Sequence, residues 1–181
     1  MHSRTAKTRA WTFPTSPRVP YGVIGDLKIL KQFEGEIWNK ETQLRFAEKL
    51  AESDSYKGSI SKKDPAHAAR DRTRSPKLLG LIKTHLKGGK AEKLIFTEMG
   101  NEFIKDQHNY KKLFERQVLK VQYPNPVNKS GGYEEMNIRP VTCLIHILLE
   151  IGYLTKTEIK TFCITQTRAE NISETILKII R

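Results

Sequence analysis

Apolar residues recur along most of this chain at the three-and-four spacing of helices, switch once to the alternation of a strand pair, and then return to helix. Leu27, Leu30 and Phe33, followed by Ile37 and Trp38, predict a helix that breaks near Gly35. Leu44, Phe46, Ala47 and Leu50, with charges between them, predict a second helix over residues 42–51 that buries one face. Residues 53–63 are polar, contain Gly58 and read as a connection. Residues 64–77 predict a third helix with defined ends. Asp64 can accept first-turn N–H groups, Pro65 suits the first helical position, the alanines favour helix, and Ser75-Pro76 closes it, after which residues 76–81 restart a short apolar helical turn. The period then changes. Residues 81–86 and 93–97 flank Lys87-Gly88-Gly89-Lys90 as two strands joined by a glycine-bearing hairpin.

Thr97-Glu98-Met99-Gly100 opens a further helix through Phe103 and Ile104, and another runs over residues 110–121 to Tyr123-Pro124. The stretch 125–133, with Pro126, Ser130, Gly131 and Gly132, is the best internal boundary. Residues 140–151 are strongly apolar, with Leu144, Ile145, Leu148 and Leu149 expected on a wide buried face that Gly152 ends. Thr155-Lys156-Thr157-Glu158 and Thr167-Arg168-Ala169-Glu170 are capping-box signatures, each opening a helix. Ile172, Ile176, Ile179 and Ile180 keep the apolar period up to Arg181, so the expectation is a chain that stops inside a domain.

Helix, helix, helix and hairpin is the order of a winged helix-turn-helix. The expected fold is therefore mainly α with a small β-hairpin wing, a winged-helix-like unit followed by a second helical unit that is incomplete at the C-terminus. The expected divisions are a basic, proline-rich arm over residues 1–25, a winged-helix-like DNA-recognition subdomain over 26–124, a linker over 125–136, and a second helical subdomain over 137–181.

At about 100° per residue, Arg70, Arg74, His67 and Asp71 fall on one side of the third helix, while Ala66, Ala69 and Thr73 form a side with almost no bulk. The small side can sit against a core while the basic side faces out. Arg72 lies away from both and can reach a flanking phosphate or an acidic neighbour. The plainer reading of the same pattern is a solvated helix rich in arginine.

Charge sharpens this picture. The 181 residues carry a net charge of +12, with a pI near 9.7. A basic surface of that size attracts polyanions, so nucleic acid is the first candidate partner. A membrane is not, because no apolar run approaches the roughly 18 residues of a spanning helix. Arg4, Lys7 and Arg9 are followed by no apolar block, which argues against a secretory signal and for a cytoplasmic protein. Pro14, Pro17 and Pro20 set an extended path through residues 13–22, in which Arg18, held between prolines, can contact phosphate and Trp11, Phe13 and Tyr21 want burial. Cys143 and Cys163 stand alone among apolar neighbours and read as reduced core residues.

No catalytic or metal-binding residue is assigned. A metal-dependent nuclease needs converging carboxylates, and the nearest candidate, Glu158-Ile159-Lys160, lies just inside a capped helix and not on a buried strand. No His-Glu-x-x-His, Walker-type glycine loop or Gly-x-Ser-x-Gly is present. His146 reads as a core histidine, and His67 alone has a functional reading, as a base or phosphate contact.

Several ordered pieces carry a resemblance: Ser16-Pro17-Arg18, Leu27-Lys28-x-Leu30-x-x-Phe33-Glu34-Gly35-x-x-Trp38, Arg70-Asp71-Arg72 with Lys77-x-x-Gly80, Thr97-Glu98-x-Gly100, Gln122-Tyr123-Pro124 and Leu154-Thr155-Lys156. Together they resemble the N-terminal recognition region of the AlwI-type type IIS restriction endonucleases and their nicking relatives, over about residues 16–176. The resemblance implies tandem winged-helix-like subdomains, the second incomplete at the C-terminus, that bind a short asymmetric double-stranded DNA site as a monomer. It also implies a C-terminal nuclease domain, or a separate nuclease subunit, with Mg²⁺; this chain has no positions matching that centre, and no cofactor is expected within it.

The expected base readers are Arg70, Arg74 and His67, with Arg18, Arg72, Lys87 and Lys90 on the backbone and Lys77 counted among the DNA contacts. The alternatives are a stand-alone winged-helix transcriptional regulator, a basic RNA-binding protein, and a complete small nuclease working through Glu158.

Overall fold

In the computed structural model, which describes residues 10–14, 19–54, 56, 63–87, 90–106, 108–127 and 132–180, a proline at the first helical position opens α1 (Pro20–Leu30). The extended path expected through residue 22 therefore gives way at Pro20, whose fixed φ already suits a helix. Val23, Leu27 and Leu30 are fully buried, whereas Tyr21, expected to be buried, is 66 % exposed. A 3₁₀ turn, Lys31–Phe33, follows. Gly35, at φ +87°, then turns the chain into an extended segment.

That segment was not legible from periodicity. The Gly35 N–H donates to the Leu94 carbonyl (2.8 Å), the Leu94 N–H to Glu36 (2.8 Å) and the Trp38 N–H to Glu92 (3.0 Å). The break expected near Gly35 is there, and Ile37 and Trp38 beyond it lie on a strand-like edge. Trp38 is buried with its ring 5.7 Å from Phe46. Asn39 then caps α2 (Lys40–Ala51) by accepting the Thr42 N–H at 3.0 Å. Phe46, Ala47 and Leu50 are buried, as their spacing predicts.

The helix expected to close at Ser75-Pro76 and the short turn expected to restart at Pro76 both form, as α3 (Ala66–Arg72) and α4 (Arg74–Leu78), but they part earlier, at Thr73. Pro76 accounts for the break. In one continuous helix it would have no N–H for the Arg72 carbonyl and its ring would press on that oxygen. Within the first turn of α4 it loses nothing, because those N–H groups have no intrahelical partner. The Thr73 hydroxyl donates back to the Ala69 carbonyl (3.0 Å) at the junction.

The strand pair forms where alternation predicts it. β1 (Ile82–Lys87) and β2 (Lys90–Phe96) are antiparallel, with Ile82 opposite Phe96, Thr84 opposite Leu94 and a register irregularity between Thr84 and Leu86. Ile82, Leu94 and Phe96 face the core, and Lys83, Ile95 and Lys93 face out. Thr97 caps α5 (Glu98–Lys105) by accepting the Gly100 N–H at 3.1 Å, and α6 (Tyr110–Lys120) follows.

These elements belong mostly to the first of two compact units, Pro14–Gln117; in the second, the described part of Met1–Phe13 joins Val118–Arg181. Within the first unit α1 packs on α2, α4 and α5, and α2 on α3.

In the second unit, Tyr123 pairs through its backbone with Ile138 (2.8 and 3.2 Å) and stacks on Tyr133 at 5.1 Å. The Tyr123 hydroxyl donates to the Thr12 carbonyl (2.6 Å), and the Trp11 indole donates to the Cys163 carbonyl (3.1 Å). α7 (Pro140–Ile151) begins on its proline and ends at Gly152, φ +89°, as read from sequence. Its buried face is different from the expected one. Pro140, Cys143 and Ile147 point inward, Leu144 is half-buried, and Ile145, Leu148 and Leu149 are exposed. The wide apolar girth of the helix left its orientation open, and the packing against α9 (Ile172–Ile180) selects the narrower Cys143–Ile147 side.

Thr155 and Glu158 form the expected capping box at α8 (Lys156–Glu158), which continues through a wider turn, Ile159–Cys163. The second capping box does not form. Residues 167–169 are instead held extended against Asn137, with the Asn137 N–H donating to Thr167 (2.9 Å) and the Ala169 N–H to Asn137 (2.9 Å). A 3₁₀ turn, Ala169–Asn171, then leads into α9. Cys143 and Cys163 are buried free thiols. The described chain is thus mainly helical with one two-stranded antiparallel sheet, and none of its described helices is long and apolar enough to cross a membrane.

Candidate nucleic-acid interface

The small side of α3 does what its composition suggests. Ala66, Ala69 and Thr73 are completely buried, which lets the helix backbone approach α2 closely. His67, Arg70 and Arg74 consequently face solvent. Two of these cations are not bare. Arg70 forms an ion pair with Asp64 and lies 3.5 Å from the Gln43 side-chain oxygen. Asp64 was expected to cap the helix, but its carboxylate takes this cation instead. Arg74 donates to Asp71 at 3.2 Å, one turn back on the same surface.

Arg72 requires a correction. Its guanidinium turns inward and donates at 2.6 Å to the completely buried carboxylate of Asp26 on α1. The residue is only 9 % exposed, so it cannot serve as a phosphate contact without unpacking the α1–α3 junction. Of the two partners its position allowed, it takes the acidic one. Burial pushes the Asp26 carboxyl up to about 6, against the opposing pull of Arg72.

Lys77 is half-buried on α4. Burial, with the Arg74 charge nearby, lowers its ammonium to about 8. A lysine whose folded value lies below its unfolded one binds fewer protons in the folded state between the two values. Folding stability should therefore rise as pH increases from about 8 towards 10. Urea denaturation across that interval should show the rise in the native chain and its loss in Lys77→Met; an equal rise in both proteins would exclude Lys77 as its source.

Lys87 and Lys90 pair across the end of the strand ladder. This brings the two backbone positions together at the hairpin, as the sequence predicts, and Gly88 and Gly89 lie outside the described residues. Arg18 also lies outside the described residues. Lys83 and Lys93, which sequence reasoning passed over, are exposed on the outer face of the same hairpin. Strand alternation from the buried Ile82 and Leu94 was the signal that could have found them.

His146 departs from its core reading: it is exposed on α7 and lines a cleft of the second unit. Glu158, the candidate nuclease carboxylate, is committed elsewhere. It accepts from both the Thr155 N–H and the Thr155 hydroxyl at 2.6 Å, and those bonds hold its carboxyl below the usual range. Among the described residues no three His, Cys, Asp or Glu side chains gather as metal ligands would.

A family model described as AlwI restriction endonuclease matches residues 77–181, more than half of the chain. No curated protein matches it.

Proposed function

The chain belongs to the AlwI restriction endonuclease family, and from that premise we propose that its first unit is a winged-helix reader of double-stranded DNA in a type IIS restriction or nicking enzyme. One observation carries the reading: α3 and α4 turn His67, Arg70 and Arg74 outward in the same unit whose basic hairpin closes on Lys87 and Lys90. The order of elements supports it. α1, the extended residues 35–38, α2, α3 continued by the short α4, β1 and β2 come in that order, and the extended segment lies beside β2 as a third strand of the wing would. In such an arrangement the third helix enters the major groove and the wing touches phosphate.

Arg70 and Arg74 then read base edges, with His67 beside them, while Lys77, Lys87, Lys90 and Arg18 position the backbone. Arginine bidentate to guanine is the commonest specific contact, so alanine at a true base reader costs about 1–3 kcal/mol and relaxes one position of the site. Duplexes selected from a random pool by the whole chain, then titrated against Arg70→Ala and Arg74→Ala, test this directly. Unchanged affinity and unchanged site preference in both variants would remove the assignment. The complex is expected to size as a monomer on an asymmetric site, whereas a dimer on a palindrome would indicate a stand-alone regulator. Duplex RNA competing as well as DNA would indicate an RNA-binding protein.

Asp71 adds a second measurement. Its carboxylate sits beside Arg74 (3.2 Å) on the surface that would face phosphate. Asp71→Asn keeps the shape, removes a repelling charge and should tighten binding to mixed-sequence duplex several-fold at low salt. Weaker binding would mean instead that Asp71 is needed to hold Arg74 in place.

Among the described residues no carboxylates gather as a Mg²⁺ centre would need, and Glu158 is held in its capping box. The reading therefore assigns cutting to a metal-dependent nuclease domain or a separate nuclease subunit, and localises the protein to the cytoplasm with its DNA.

A further inference from the structure

Beside the N-terminal half of α7 the second unit contains a cleft of about 480 Å³ lined entirely by that unit's own residues. A cleft of that size falls within the range that holds small organic ligands and exceeds the needs of a lone phosphate. Its wall on α7 presents Arg139, Thr142 and His146, spaced three and four apart and so stacked on one helical face. Gln122 and Asn137 bring two exposed side-chain amides from other segments. The apolar part of the lining comes from Tyr123, Ile138 and Ile172.

The charge pattern is one-sided. No Asp or Glu lines the cleft. Arg139, like Arg116 on α6, forms no ion pair with any described residue, whereas the exposed Arg45, Arg70, Arg74 and Arg168 are each held by a carboxylate. An uncommitted guanidinium, an exposed imidazole, two amides and an apolar floor are the complement of a phosphate joined to a planar, hydrogen-bonding heterocycle.

We infer that this cleft is a second DNA-strand site, taking one nucleotide of the strand with its phosphate on Arg139 and His146 and its base between the apolar floor and the amides of Gln122 and Asn137. The inference rests on the DNA-reading assignment above. It gives the second unit a direct part in binding beyond completing the fold.

The test is a salt titration of a fluorescein-labelled duplex of mixed sequence with the whole chain, Arg139→Ala, Arg139→Lys, His146→Ala and the Arg70→Ala/Arg74→Ala pair, each checked for a native thermal melt. Arg139→Ala should weaken binding about tenfold and reduce the slope of log affinity against log salt by about one, with Arg139→Lys restoring the slope. His146→Ala should weaken binding as well. Wild-type affinity and slope in both Arg139→Ala and His146→Ala, with a clear loss in the Arg70→Ala/Arg74→Ala pair, would overturn the second site and leave the first unit's reading intact. No loss in any variant would remove the DNA assignment itself, and this inference with it. Mixed deoxynucleoside monophosphates that bind the cleft in an Arg139-dependent way without displacing the duplex would also overturn it, in favour of a free-nucleotide site.

Discussion

Alanine at Gly100 should destabilise the first unit by about 3 kcal/mol, at the top of the range for overpacking a tight contact. A Cβ built there meets the Leu81 carbonyl oxygen at 2.0 Å, its carbon at 3.0 Å and the Phe96 ring at 3.3 Å. That oxygen cannot move aside easily. It accepts the Thr97 N–H at 3.0 Å and the Thr97 hydroxyl at 3.1 Å, while the Thr97 side chain caps α5 through the Gly100 N–H. One added methyl must therefore break the cap, the strand end or both. Urea denaturation should show the midpoint fall sharply, and a variant within 1 kcal/mol of the native chain (about a third of the expected loss) would contradict this account. Gly35→Ala is the control. Nothing stands within 4 Å of its added Cβ, so only the strain of φ +87° acts, at about 1–2 kcal/mol. The Thr97-Glu98-x-Gly100 motif, which entered as part of a family resemblance, is on these distances a structural joint between helix and strand.

Asp26→Ala should cost about 3–5 kcal/mol, because it leaves the Arg72 guanidinium in the core without its carboxylate. Replacing both partners with apolar residues, as in Asp26→Leu/Arg72→Met, should recover most of the loss. A buried pair is worth little net of the desolvation it demands, and the damage comes from orphaning one charge. If the double variant is as unstable as the single one, the pair has a role that apolar packing cannot replace. The pH dependence has a definite sign. The folded carboxyl titrates near 6 against an ordinary value of 3.8, so between those values the folded state holds more protons than the unfolded one. The contribution of Asp26 to stability therefore increases as pH falls from 6 towards 4, opposite to an exposed salt-bridged carboxylate, and Asp26→Asn should flatten that slope.

What the sequence revealed was whatever is decided locally. Pro140 and Gly152 mark the ends of α7, Thr155 with Glu158 caps α8, Thr97 caps α5, and alternation placed the two strands. Burial of Ala66, Ala69 and Thr73 followed from side-chain size, and with it the outward direction of Arg70 and Arg74. What stayed hidden depends on a partner far along the chain. Residues 35–38 are extended because β2 receives their backbone bonds, and a segment that short has no period of its own. Arg72 turns inward because Asp26, on another helix, is there to meet it. Which face α7 buries was undetermined because nearly all its positions are apolar. The Arg139 and His146 cleft draws on several separated segments, and no spacing within any one of them announces it.

The bond from the Trp11 indole to the Cys163 carbonyl joins positions 152 residues apart. Protein synthesis makes that distance into time. Trp11 leaves the ribosome well before its acceptor, which lies 152 residues further along the chain. The Pro14–Gln117 unit, continuous in sequence, can assemble meanwhile, at the few to tens of residues per second of translation. The unit containing Trp11 has to wait, with an indole and the neighbouring Phe13 ring needing shelter, until the residues around Cys163 appear.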